Sequence, residues 1–75
     1  MKRRLMKYAM MYIGDLVEDA FSDDQNMTVE KFIDLMDISF EYSEKWSDYP
    51  SRSDATLVIL EHGEEEARFT INIAR

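Results

Sequence analysis

The sequence predicts a small single-domain α+β fold in which two helices precede a C-terminal antiparallel β-hairpin, an ααββ order. Three observations carry this reading. Apolar residues recur at helical spacing over residues 4–22 and again over 28–47. From Ala67 to Ile73 apolar and polar residues alternate strictly, as in a strand with one buried face. The 75 residues include two glycines and one proline, which leaves few connections between regular elements. A hydrophobic fraction of 45% is that of a folding chain rather than a disordered one.

In the first helix, Leu5, Met6, Ala9, Met10, Tyr12, Ile13, Leu16, Val17, Ala20 and Phe21 cover one half of the cylinder. Lys7, Gly14, Asp15, Glu18 and Asp19 occupy the other half, with Tyr8 and Met11 among them. The opening MKRRLMKYAMMYIG has some of the character of a secretion signal. Lys7 interrupts its apolar run and no A-x-A site follows, so it reads as helix. No apolar run reaches the roughly 18 residues that span a membrane, and a cytoplasmic location is expected. SDDQN ends the helix with turn-forming residues.

Thr28 is placed to cap the second helix, with Met27 positioned to staple against Phe32. Over 28–47 a main apolar arc holds Val29, Phe32, Ile33, Met36, Phe40 and Trp46, and a second holds Leu35, Ile38 and Tyr42. The remaining arc is acidic: Glu30, Asp34, Asp37, Glu41, Glu44 and Asp48 form a ridge. After the polar connection SDYPSRSD, residues 55–73 read as a hairpin with Gly63 in its turn. Its first strand, from Thr56 to Glu61, is apolar on both faces. A two-stranded sheet must pack on the helices and still leaves edges. A helix over the second face of TLVIL would meet this need, as would a homodimer joining two hairpins into one four-stranded sheet.

The chemistry-bearing residues argue against an enzyme. There is no cysteine, hence no disulfide and no thiolate metal site. His62 is the one histidine and has no partner pattern for nucleophilic catalysis or zinc. DDQNMTVEKFIDLM has the outline of an EF-hand, but Val29 stands where the loop turns on Gly and Leu35 where a bidentate Glu is needed. No glycine-rich phosphate loop is present. No cofactor is expected.

Charge is the most distinctive property. The net charge is −7, and residues 1–14 carry four bases and no acid. The other 61 residues hold all 16 acids against five bases. Such a surface repels nucleic acid and anionic membranes and attracts basic proteins. The first helix is charged against its own macrodipole, with bases first and Asp15, Glu18 and Asp19 near its end. Along the ridge, like charges three or four residues apart each cost about 0.2–0.5 kcal/mol. Charge runs on helices are commonly solvated faces. Small size, strong acidity and leftover apolar residues instead favour a protein-binding module, with Asp15, Glu18, Asp19, the six ridge acids and Tyr42 as its contact residues. The competing expectation is a small homo-oligomeric assembly or accessory subunit that acts through its apolar surfaces.

In size, charge and composition, though in no mapped residue, the chain resembles the small acidic inhibitors that bacteriophages and mobile elements encode against host nucleic-acid machinery, including anti-CRISPR proteins and DNA mimics. The resemblance implies an inhibitor that occludes the basic surface of a nucleic-acid-handling protein in the host cytoplasm.

Overall fold

The computed structural model describes residues 2–48 and 51–74, with side chains described for 2–48 and 53–72. Among these, two helices are followed by three strands: α1 (Lys2–Ala20), α2 (Val29–Leu35), β1 (Ile38–Asp48), β2 (Ser51–Glu61) and β3 (Glu64–Ala74). The strands form one antiparallel meander in the order β1-β2-β3. The α+β class and the helix-first order are as expected; the two-stranded hairpin is in fact three strands.

The third strand comes from the region expected to be helical. Thr28 caps α2 as predicted, its Oγ1 accepting from the Lys31 N–H at 3.1 Å. The helix then stops after seven residues because Asp37 takes a left-handed conformation, φ 51°. That is the usual geometry of the residue that ends a helix, and Asp tolerates it better than most side chains. The Asp37 carbonyl accepts from the His62 N–H at 3.2 Å, which pins the chain reversal to the hairpin tip. From Ile38 onward the chain alternates: Ile38, Phe40 and Tyr42 face the helices, while Ser39, Glu41 and Ser43 are exposed. The second helix of 28–47 is therefore α2 plus β1.

β1 and β2 pair along all eleven residues, from Ile38 opposite Glu61 to Asp48 opposite Ser51. Most of SDYPSRSD thus belongs to strands, and Tyr49 and Pro50 lie outside the described residues. The β2–β3 turn places His62 and Gly63 at its tip, with φ 52° and 82°, the paired positive φ of a type I′ hairpin. TLVIL is the middle of the central strand, so β1 covers the edge that a two-stranded hairpin would have left open. Val58 and Leu60, its apolar residues on the second face, are half-buried between charged neighbours: Glu41 and Arg68 flank Val58.

Both helices lie on one face of the sheet. Leu5, Ala9 and Ile13 form a stripe on α1, fully buried with Ala55, Leu57 and Ile59 of β2. Phe32 and Ile38 complete the buried cluster. Phe21 meets Phe32 edge-to-face at 6.0 Å, joining α1 to α2, and Tyr12 meets Phe69 of β3 at 5.9 Å. Eleven-residue strands run about 36 Å, and the molecule measures 50 × 20 × 15 Å. Among the described residues no helix is long and apolar enough to cross a membrane.

Leu57→Ala should lower stability by about 2–5 kcal/mol, the range for emptying a closed core site, read from the midpoint of a urea unfolding curve. Gly63→Ala, at positive φ, should cost about 1 kcal/mol through backbone strain alone, since no atom lies within 4 Å of the added Cβ.

Candidate protein-binding surface

The acidic ridge along one helix is not formed. Glu30 and Asp34 sit on α2, Asp37 is the residue that ends it, and Glu41, Glu44 and Asp48 belong to β1. On a strand, successive residues point to opposite faces. Glu41 therefore faces away from the helices, whereas Glu44 and Asp48 share the Tyr42 side of the sheet. Tyr42 is half-buried there, its hydroxyl donating to Glu44 Oε1 at 2.7 Å. Nor do Leu35, Ile38 and Tyr42 form one exposed arc: Ile38 is buried, and Leu35 is 58% exposed on α2.

The fold gathers acids in another way, at one end of the molecule. The Phe21–Phe32 contact brings the C-terminal end of α1 against α2. The Asp37–His62 hydrogen bond brings the β2–β3 turn beside the end of α2. The Tyr12 hydroxyl donates to Glu66 Oε1 at 3.2 Å, tying the first residues of β3 to α1. These three links collect residues 15–37 and 61–66 into a single pole. It carries twelve of the sixteen acids against one base, Lys31, a net of −11; the rest of the chain carries the other four acids against eight bases, a net of +4.

Of the expected contact residues, the pole brings together Asp15, Glu18, Asp19, Glu30, Asp34 and Asp37, all exposed. Glu41, Glu44, Asp48 and Tyr42 lie elsewhere on the sheet. Sequence reasoning missed Glu61, Glu64, Glu65 and Glu66. Their density in GEEEA was visible, but their proximity to α2 depends on a contact between distant segments.

A β-bulge shapes this edge of the pole. Ile59 pairs with Ala67 and Leu60 with Glu65, so Glu66 is the extra residue. Glu66 turns to Tyr12, whose pKa is raised above its usual 10.0, first by burial and then by the Glu66 carboxylate. Tyr42 is raised likewise, chiefly by its hydrogen bond to Glu44. Glu65 accepts from Arg68 at 2.7 Å, and this holds its carboxyl below the ordinary 4.5.

Apart from Val58 and Leu60, the opposite, helix-free face of the sheet is polar. Thr56 and Thr70 hydroxyls lie 3.1 Å apart across the strands, flooring a shallow depression of about 380 Å³ bordered by Lys45, Asp54 and Arg68. Among the described residues no three of His, Cys, Asp and Glu are grouped to hold a metal ion. Comparison with protein-family models, curated proteins and solved structures finds no match to this chain.

Glu66→Gln should bring the Tyr12 titration part of the way down toward 10.0, leaving the share due to burial, as measured by ultraviolet absorbance or NMR. The folded state holds this proton more tightly than the unfolded chain. The associated stability is complete below pH 10.0 and is lost as pH rises through the raised pKa. For Glu65 the sign is opposite: its contribution is present above pH 4.5 and fades as pH falls through its lowered value, and Arg68→Gln should remove that dependence.

Proposed function

We propose that this chain is a non-enzymatic protein-binding module that presents its acidic pole to the basic surface of a nucleic-acid-handling protein and blocks that surface. Inhibition is by occlusion, in the manner of the small acidic inhibitors of phages and mobile elements, and the partner is met in the cytoplasm. The observation that supports this reading is the pole itself. A net of −11 is concentrated at one end of an elongated molecule and built from three separate segments. Concentrated charge of one sign steers an oppositely charged partner into contact and makes association fast and salt-sensitive. The half-buried apolar residues Leu16, Val17, Phe21 and Ile33 lie among the pole's carboxylates, and apolar contact supplies much of the binding energy that rim charge does not.

The test is retention of bacterial lysate proteins on immobilised chain, eluted in rising salt, followed by nucleic-acid binding assays on each recovered protein. The expected result is a basic protein that elutes at moderate salt and loses its nucleic-acid binding when the free chain is added. Replacing Asp19, Glu30 and Asp34 with lysine should weaken that capture by more than about tenfold with the circular dichroism spectrum unchanged. Equal capture by the triple variant would show that the pole is not the contact surface.

A further inference from the structure

β1 is an edge strand: among the described residues it pairs with β2 alone. Its outer side offers a row of backbone donors and acceptors eleven residues long, the kind of edge that another strand can extend. Native proteins commonly blunt such an edge with charge. β3 does so, opening on Glu64, Glu65 and Glu66. β1 carries charge in a different arrangement, and we infer that its edge is the seam of a homodimer in which two copies of β1 pair antiparallel about a two-fold axis through Ser43, making one six-stranded sheet.

The register follows from the sequence of the strand. Ser43 is the midpoint of Ile38–Asp48, so centring the axis there pairs all eleven residues with none overhanging. That same register sets Glu41 opposite the partner's Lys45, and by symmetry Lys45 opposite the partner's Glu41. It also sets Phe40 opposite the partner's Trp46, and serines opposite serines at 39, 43 and 47. Directly opposed side chains lie about 4.5–5.5 Å apart, where opposite charges and aromatic pairs both stabilise a sheet. Neighbouring registers lose this match. An axis at Glu41, Glu44 or Lys45 puts like charges face to face, and an axis at Tyr42 opposes no charges at all.

The overall charge agrees with the antiparallel arrangement. The acidic pole is at the Ile38 end of β1, so the two-fold axis puts the two poles at opposite ends of the dimer. Each pole, at −11, lies beside the Asp48 end of the partner and away from the partner's own pole. The sheet also reaches past its helical cover at the Asp48 end, where Trp46 is 49% exposed. The pairing sets that end beside the partner's α2, whose Leu35 is 58% exposed.

The experiment measures solution mass by sedimentation equilibrium over a wide concentration range. The wild-type chain should behave as a dimer, and Trp46 emission should shift on dilution as it separates from the partner's Phe40. Glu41→Lys or Lys45→Glu alone opposes like charges twice and should weaken dimerisation by about tenfold or more, whereas the double variant E41K/K45E restores the match and should recover wild-type affinity. Ser43→Lys, which places two lysines face to face on the axis, should give a monomer with an unchanged circular dichroism spectrum. Glu41, Ser43 and Lys45 are exposed, so these changes leave the core intact. A wild-type monomer at all concentrations overturns the inference, as does a dimer whose affinity the double variant fails to restore.

Discussion

The contact between the Leu5–Ala9–Ile13 stripe of α1 and the Ala55–Leu57–Ile59 row of β2 is what the remaining structure depends on. Its six residues are 0–1% exposed. An alanine on each side leaves room for helix and strand to approach closely. A chain of 75 residues can build one such layer contact and little more, because small domains bury a limited share of their surface. With β2 fixed under the helix, its two edges must be paired. β1 and β3 do this, and the helices cover one face while the other remains largely polar.

That arrangement gives a physical account of α1, whose charges run against its own macrodipole. Bases at a helix N-terminus and acids at its C-terminus both oppose the dipole, and α1 has no acid in its first turn and no base in its last. At the basic N-terminal end, Lys2 lies over the middle of the sheet, its Nζ 5.8 Å from the Tyr42 ring centre. The C-terminal acids lie at the pole with α2 and the β2–β3 turn. The helix thus separates charge along the length of the molecule at some cost to its own stability. The pole and the outer edge of β1 are distinct surfaces, so a dimer through β1 would present two poles facing apart, and a partner with two basic sites would gain by engaging both.

Much of the fold is legible in the residues themselves. The 3.6-residue periodicity of α1, the Thr28 cap, the alternation from Ala67 to Ile73 and the turn at Gly63 each rest on local physics: which side chains share a face, which oxygen satisfies a free N–H, which residue accepts positive φ. The excess of acid and the reversed charge of α1 are equally local. The candidate surface was legible only in part, because Asp15, Glu18, Asp19, Glu30, Asp34 and Asp37 share the pole, while the glutamates of the β2–β3 turn join them through contacts between segments far apart in the chain.

The sequence by itself determined the class, the helix-first order, the final hairpin and the concentration of acid. Only the tertiary structure decided the state of residues 38–47. ISFEYSEKWS fits an amphipathic helix with an acidic ridge, and it also alternates as a strand from Ile38 to Ser43. Local preference does not separate the two. The choice is made by β2, an apolar strand whose open edge needs a partner, and by Asp37, whose left-handed turn, held by the His62 amide, redirects the chain to supply one.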